Sequence, residues 1–332
     1  MDKLFSFLCT SFNLIGGNHL LSAVNRTPRI LFYHGVSSDL NIKLAPENFH
    51  VDEFTKQISY LKHYYEVISL DEFYYRFNLK KFTGKEVVIT FDDGYANNLY
   101  EAAPILSHLN LPYAVFISTE HVETGDYFPT AILRMVIWGT NLKIINIPSL
   151  KLLQNIDTFE RKIETNKIIS RFLKHYSIDK VKIIIEELLN NLSDSEKQRL
   201  FDTCTSLRPM NWREVAEIIN CGSVTIGSHC KYHICCHANQ KRAEVNAQIR
   251  DSKTVIEEKL GISCNYFAFP NGDYTMDAIE AVKDAGYKMA FSIKGSNKII
   301  NANPFLIPRI GVPRDIEKFK IYMAVYPYKK ND

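Results

Sequence analysis

The sequence predicts an α/β fold in which about seven parallel strands, joined by helices, form an incomplete (β/α) barrel. Short, continuous apolar runs alternate with segments whose apolar residues recur at helical spacing. This alternation is typical of parallel strands connected by crossover helices. Polar residues that a buried strand does not need follow directly after three of the apolar runs. In parallel sheets and barrels, functional sites lie at these carboxyl ends of the strands.

The first part of the chain contains four predicted strands, at residues 29–36, 67–70, 86–91 and 113–118. Between the first two, residues 54–61 carry apolar side chains at helical spacing, which predicts a helix. Ser69 and Glu72 form a capping box for a second helix. Residues 97–109 are predicted to form a third helix, which Pro104 bends because proline cannot donate a backbone hydrogen bond.

Residues from about 126 to 207 interrupt the alternation with long amphipathic stretches, such as 159–173 and 178–192. We interpret this segment as a mostly helical insertion, serving either as a cover for the barrel or as a wall or lid for the substrate. Another helical segment, 1–28, is predicted ahead of the first strand. Both belong to a single domain that spans residues 1–332.

After the insertion, the alternation of strands and helices resumes. The predicted strands are 223–226, 265–269 and 288–293. A capping box formed by Asn211 and Glu214 predicts the start of one helix. Two further helices are predicted at 242–260 and 276–285, the second of which is stopped by Gly286.

The composition is that of an ordinary globular protein, with 332 residues, 46% hydrophobic and 23% charged. It excludes a wholly disordered chain, a collagen-like repeat and a disulfide-stapled miniprotein. The net charge of +3 and the lack of a basic stripe predict no nucleic-acid partner. The sequence has no apolar run of about 18 residues, so it predicts no transmembrane helix.

Seven cysteines at irregular spacing, without a CxxC pair, indicate mostly reduced thiols and favour a cytoplasmic protein. The apolar residues 4–9 leave two alternatives open, which are peripheral membrane contact and export through a signal sequence. A thiolate zinc site built from Cys230, Cys235, Cys236 and His237 fits no standard ligand spacing. These thiols are therefore interpreted as buried or incidental.

Two adjacent carboxylates, Asp92 and Asp93, follow the predicted strand 86–91. Neighbouring side chains of an extended segment point in opposite directions, so one carboxylate can bind a metal while the other acts as a base. The alternative is a helix N-cap, where a carboxylate accepts hydrogen bonds from free N–H groups.

His229 and His233 follow another predicted strand and are four residues apart, a spacing that recurs in metal sites because both imidazoles share one face of a helical turn. With an aspartate from another strand end, they make a three-ligand site that keeps a position for water. His34 lies at the end of the first predicted strand, where a structural role and a place at the active face are about equally favoured.

These segments resemble the motifs of the polysaccharide deacetylases, the NodB-homology group also called carbohydrate esterase family four. Residues 90–95 (TFDDGY) match the first motif, 227–233 (GSHCKYH) the second, and 267–272 (FAFPNG) a variant of the third. Residues 33–36 (YHGV) and the block 51–70 resemble the branch that deacetylates exported poly-N-acetylglucosamine. The resemblance does not extend to the insertion.

The resemblance implies a distorted, partly open (β/α) barrel that removes N-acetyl groups from an N-acetylated sugar polymer, oligosaccharide or glycan precursor. It implies that Asp93, His229 and His233 bind a divalent metal, with Zn²⁺ the first expectation, and that Asp92 is the general base for the attacking water. The metal would polarise the acetyl carbonyl, assisted by a backbone N–H near Tyr95.

Two departures from the family pattern affect the predicted mechanism. The third motif commonly has an arginine where this chain has Ala268, and Arg29, Arg309 and Arg314 are the candidates to replace it. The late motif with a catalytic histidine is absent, so we predict that His34 protonates the leaving amine. The departures also motivate the alternative of a degenerate member that binds carbohydrate without hydrolysing it, although the intact metal ligands argue against this.

Four residues are predicted to contact the sugar. Tyr95 follows the first motif directly, and Pro270 and Asn271 belong to the third. Trp212 offers an aromatic ring for stacking on a sugar, but its helix carries apolar neighbours, so core packing is an equal alternative.

Overall fold

The strands of the barrel are short and parallel. A computed structural model describes residues 2–294, 299 and 302–326. Its strands are β1 (Arg29–Tyr33), β2 (Val36–Ser37), β3 (Phe49–His50), β4 (Glu66–Val67), β5 (Glu86–Phe91), β6 (Tyr113–Ile117), β7 (Ile144–Ile147), β8 (Leu152–Asn155), β9 (Val224–Ser228), β10 (Tyr266–Ala268), β11 (Met289–Ser292), β12 (Ile307–Pro308) and β13 (Ile310–Gly311).

Helices connect and cover these strands. They are α1 (Asp2–Leu14), α2 (Gly17–Val24), α3 (Val51–Tyr64), α4 (Leu70–Leu79), α5 (Ala103–His108), α6 (Thr119–Thr124), α7 (Pro129–Gly139), α8 (Phe159–His175), α9 (Ile178–Leu189), α10 (Asp194–Thr203), α11 (Trp212–Asn220), α12 (Arg242–Leu260), α13 (Met276–Asp284) and α14 (Ile316–Val325). Within the described residues, no helix is both long enough and apolar enough to pass through a lipid bilayer.

Eight strands follow one another around a nearly closed barrel, in the order β12, β11, β10, β9, β6, β5, β1, β13. All the pairings along this path are parallel, and β4 adds to the side of β5. The two end strands, β12 and β13, are separated in the chain by one residue, Arg309. The chain therefore crosses the gap in the barrel at Arg309.

The sequence pattern accounts for the elements that build this barrel. Every residue of β5 is buried, as expected for a parallel strand that is covered on both faces. Ser69 accepts a hydrogen bond from the Glu72 N–H at the start of α4, as predicted. A π-helical turn, Asn98–Ala102, precedes α5, in agreement with a helix that is disturbed at Pro104.

The α/β barrel is confirmed, but the insertion is not purely helical. It contains an antiparallel hairpin of β7 and β8 beside its helices α7 to α10. Its buried apolar side chains form a second core cluster, apart from that of the barrel, which includes Phe128, Ile137, Ile169 and Leu188. Tyr95 of the first motif also packs in this cluster, so the insertion adjoins the motif residues.

Candidate active site

The carboxyl ends of the barrel strands surround a cavity of about 340 Å³. The barrel contributes lining residues that include His34, Asp92, Asp93, Tyr95, His229, His233, Asn271 and Arg309. The insertion contributes others, among them Asn166, Ser170, Leu173 and Lys174 of α8. The insertion therefore forms one wall of the cavity, which is one of its two predicted roles.

Asp92 and Asp93 lie at a tight turn that follows β5. The Asp92 N–H donates to the Tyr33 carbonyl, which fixes the end of the strand. Asp93 and Gly94 both have positive φ, at 71° and 74°. A Cβ at Gly94 would lie 2.7 Å from Ile117 Cγ2, so this turn requires glycine. The two carboxylates interact with Arg309 and the histidines rather than capping a helix.

Asp93, His229 and His233 bring one ligand atom each to within 4.8 Å of one another. Asp93 Oδ1 lies 3.2 Å from His233 Nε2 and 3.6 Å from His229 Nε2. In a tetrahedral zinc site with bonds of about 2.0–2.1 Å, ligand atoms lie about 3.3 Å apart. Asp93 Oδ1 is also buried without a hydrogen bond to the described residues. This donor set fits a divalent metal and is the one candidate group found in the described part of the chain.

The two histidines reach this position from a loop and not from the helical turn that their spacing suggested. Cys230 and His233 have φ of 64° and 52°, and the loop that follows β9 has no helical residues. Non-glycine residues in this region are strained by about 1–3 kcal/mol each and cluster at functional sites. His229 Nδ1 pairs with the Ala268 carbonyl at 2.8 Å, which directs Nε2 towards Asp93.

Burial lowers the pKa of His229 to about 4, so its imidazole is neutral at pH 7 and free to bind a metal. For Asp93, burial raises the pKa, but the neighbouring His233 and the other imidazoles outweigh it and hold the pKa well below the ordinary value. Asp93 is therefore ionised at neutral pH, as a carboxylate that binds a metal has to be.

Arg309 holds Asp92 with a bidentate ion pair. Its two terminal nitrogens donate to Asp92 Oδ1 at 2.6 Å and to Asp92 Oδ2 at 2.7 Å, and one of them also donates to Thr90 Oγ1. Burial raises the pKa of Asp92, but Arg309 and His229 lower it further, so that the carboxylate is ionised. Of the three candidate arginines, Arg309 is therefore the one that contacts Asp92.

The other two candidate arginines are elsewhere. Arg29 donates to the carbonyls of Met323, Thr27 and Gly84, and Arg314 donates to those of Asn48 and Pro46. In the sequence, Arg309 lies between two short pairs of residues, Ile307–Pro308 and Ile310–Gly311. This position distinguishes Arg309 from the other two arginines only when both pairs are known to be strands of the barrel.

The predicted substrate residues divide into two groups. Tyr95 and Asn271 line the cavity, whereas Pro270 and Trp212 are not among its lining residues. Trp212 is half-buried against the barrel core, and its indole N–H donates to Glu123. This contact favours the packing role for Trp212.

Tyr95 is buried, its ring packs edge-on against Phe128, and burial raises the pKa of its hydroxyl. In the described part of the chain, its backbone N–H donates to no protein acceptor. Asn271 accepts a hydrogen bond from Lys174 Nζ at 2.8 Å and donates to Asp273. The insertion and the third motif are joined by this contact.

The cysteines next to the histidines do not form a metal site with them. The Cys230 and Cys236 sulfurs lie 3.8 Å apart, and both side chains are buried. Burial raises the pKa of Cys230 well above its ordinary value and that of Cys235 to about 12. These thiols are therefore protonated at neutral pH.

The profile of the polysaccharide deacetylase family matches residues 79–144 and 165–290. The chain belongs to this family. It is therefore a hydrolase that removes N-acetyl groups from polysaccharides. The match includes the first and second motifs, together with the part of α8 and the whole of α9 that adjoin the cavity.

Sequence and structure comparisons agree with this assignment. A poly-β-1,6-N-acetyl-D-glucosamine N-deacetylase of Staphylococcus aureus strain MSSA476 is 24% identical over 288 residues, 86% of this chain and 73% of that protein. The deacetylase PplD of Streptococcus pyogenes, solved in complex with acetate, shares the fold with a TM-score of 0.60 at 15% identity, over 90% of this chain and 98% of that one. IcaB of Ammonifex degensii has a TM-score of 0.58 at 16% identity, over 90% and 97%.

Proposed function

We propose that this enzyme removes acetyl groups from a polymer or oligosaccharide of β-1,6-linked N-acetylglucosamine, with Zn²⁺ as its metal. The substrate is suggested by the name of the Staphylococcus relative and by the likeness of residues 33–36 and 51–70 to that branch. The observation that carries the catalytic part is the Arg309–Asp92 pair beside the three-ligand group of Asp93, His229 and His233.

The three ligands would hold a metal that, when bound, polarises the acetyl carbonyl and stabilises the negative charge that develops on it. Asp92 is proposed to accept the proton of the attacking water. Arg309 occupies one lone pair on each carboxylate oxygen, so that each keeps another for that proton. The bidentate contact also fixes the carboxylate plane, which orients the base.

His34 is proposed to give a proton to the nitrogen of the leaving amine. Its imidazole lines the same cavity and lies near enough to affect the pKa of both aspartates. His34 directly follows β1, whereas Asp92 directly follows β5. Because these strands are adjacent, the acid and the base reach the cavity from neighbouring strand ends.

The test is acetate release from β-1,6-linked N-acetylglucosamine oligomers by Zn²⁺-loaded protein, with metal content measured by elemental analysis. Wild type is expected to release acetate, and Asp92→Asn to bind the same metal but lose at least about 10²-fold in rate. Asp284→Asn, at an exposed aspartate far along the chain, is the matched control and should behave as wild type. Asp92→Asn with wild-type turnover would refute the assigned base.

For the cellular location, we propose the cytoplasm, on the support of seven cysteines with an odd count and irregular spacing. One observation favours the alternative of peripheral membrane contact. Leu14 and Ile15, at the turn between α1 and α2, are each 82% exposed, and Leu8 and Leu20 are exposed near them. Fractionation of cells decides between the two, because recovery of the protein with the membranes at physiological salt would contradict the cytoplasmic assignment.

A further inference from the structure

A second cavity, of about 620 Å³, lies between the insertion and the barrel. One wall is α9, which contributes Ile185 and Leu189 together with the exposed side chains of Lys182 and Glu186. The opposite wall includes residues 124–127, which run from the last residue of α6 into the loop before α7. None of the proposed catalytic residues lines this cavity, so it is distinct from the active-site cavity.

The two cavities adjoin each other. Pro129, Ile178, Val181 and Tyr232 line both of them. Tyr232 lies in the chain between the ligands His229 and His233, and the second cavity therefore begins beside the metal-ligand loop.

Contacts around Tyr232 hold this junction in place. Lys182 Nζ of α9 lies 4.2 Å from the centroid of the Tyr232 ring, and the Tyr232 hydroxyl donates to Glu120 at 2.9 Å. The Tyr232 N–H also donates to Gln248 at 2.7 Å. The Tyr232 side chain is thus fixed at the junction of the two cavities, in contact with Lys182 of α9.

The lining has the chemistry of a site for N-acetylated sugars. Ile132, Ile185 and Leu189 present apolar surface that suits the C–H faces of sugar rings and acetyl methyl groups. The side chains of Asp126 and Glu186 line the same cavity, and their carboxylate oxygens accept no hydrogen bond from the described residues, so they are available to sugar hydroxyls. Since the family acts on polysaccharides, units next to the reacting one need a place on the surface.

We propose that the second cavity is a subsite that holds the sugar units flanking the one whose acetyl group is removed. The proposal rests on the proposed function, because it takes the N-acetylglucosamine polymer as the ligand. In this proposal, helix α9 of the insertion makes the enzyme prefer the polymer to short oligosaccharides. The expected consequence is that catalytic efficiency rises with chain length, and that this rise depends on α9.

The test compares two tryptophan variants on one helix. Ile185→Trp fills the second cavity, whereas Ile183→Trp changes an exposed side chain, 45% accessible, that does not line it. kcat/KM is measured on β-1,6-linked N-acetylglucosamine oligomers of two to six units. Ile185→Trp is expected to lose about tenfold or more on the hexamer and to keep wild-type efficiency on the dimer. Ile183→Trp should match wild type on both.

Hexamer binding to Asp92→Asn protein, measured by calorimetry, separates the subsite from the proposed function. If wild type releases no acetate but the hexamer binds and Ile185→Trp abolishes binding, the function is wrong and the subsite stands. Equal length dependence in Ile185→Trp and wild type, or no length dependence in wild type, overturns the subsite. Binding of an octyl glycoside but not of the hexamer would also overturn it, in favour of an apolar-chain site.

Discussion

At the scale of single residues, the Arg309–Asp92 pair is buried, bidentate and formed between distant parts of the chain. Arg309→Met leaves the carboxylate without its orienting partner, so kcat should fall by about 10²-fold while KM changes little. Breaking a buried pair also costs about 3–5 kcal/mol of stability. Arg309→Lys keeps the positive charge but cannot donate to both carboxylate oxygens at once. Compared with Arg309→Met, it should regain part of the lost stability and a smaller part of the lost kcat.

The measurement for this prediction is kcat and KM of both variants, with circular dichroism to show that each is folded. Wild-type kcat in a folded Arg309→Met protein would show that Asp92 needs no positioning by Arg309.

Metal binding should stabilise the protein through His233. A metal present at about 100 times its Kd stabilises the native state by about 2.7 kcal/mol, so Zn²⁺ should raise the melting temperature of wild type. His233→Ala is expected to lose this rise. Cys236→Ala is the matched control, because its thiol is close in sequence but outside the ligand group, and it should keep the rise. Thermal unfolding with and without Zn²⁺ tests this, and an equal rise in all three proteins would exclude His233 as a ligand.

Residue types and spacing identified Asp92, Asp93, His229 and His233 as a group, because motif residues follow strand ends directly. They did not select Arg309 from three arginines. That selection depends on β12 and β13, which have two residues each and are too short for an apolar pattern to define. The sequence also did not predict that Cys230 and His233 lie in a loop with positive φ. The spacing of four residues between the two histidines suggested a helical turn instead.

At the scale of elements, the turn after β5 depends on glycine at position 94. Gly94→Ala adds a methyl group 2.7 Å from Ile117 Cγ2 at a residue with φ of 74°. Gly125→Ala has nearly the same φ, 77°, with nothing within 4 Å of the new Cβ, so it reports the backbone cost alone. That cost is about 1–2 kcal/mol, and Gly94→Ala should cost clearly more. Urea unfolding of both variants measures the loss in the free energy of unfolding. Equal losses in the two variants would show that the Ile117 side chain moves away from the new methyl group without destabilising the protein.

The cap of α11 should make stability depend on pH. The Glu214 side chain accepts from the Asn211 N–H, while the Glu214 N–H donates to Asn211, and Arg208 pairs with the same carboxylate. Burial raises the pKa of Glu214, but these hydrogen bonds outweigh it and lower the pKa to about 2. The stabilisation is therefore complete above about pH 4.5, the ordinary glutamate value, and is lost as the pH falls towards 2.

The expected contribution of this cap is on the order of 2–3 kcal/mol above pH 4.5. Glu214→Gln should lower stability at pH 7 and flatten its dependence on pH between about 4.5 and 2. Unfolding in urea at several pH values measures both quantities. An unchanged pH slope in the variant would assign the acid sensitivity to other carboxylates.

At the scale of the whole molecule, strand and helix alternation was enough to predict the barrel, because each element carries its own apolar pattern. The sequence left two positions open for the insertion, a cover for the barrel or a wall of the site, because the choice depends on which apolar faces meet after folding. Its helices share a buried core with Tyr95 of the first motif, and α8 and α9 form walls of two cavities. A segment outside the recognised motifs thus borders the site that those motifs build.

The contact between Lys174 of α8 and Asn271 of the third motif is where the insertion meets the barrel at the active-site cavity. Lys174→Met removes the donor and leaves Asn271 free to turn away, so KM should rise several-fold, by about 1 kcal/mol of binding, with kcat nearly unchanged. Lys167→Met, at an exposed lysine of the same helix, is the control. Steady-state kinetics on the oligomers distinguishes the outcomes, because a fall in kcat alone would mean that the insertion positions the catalytic groups rather than the sugar.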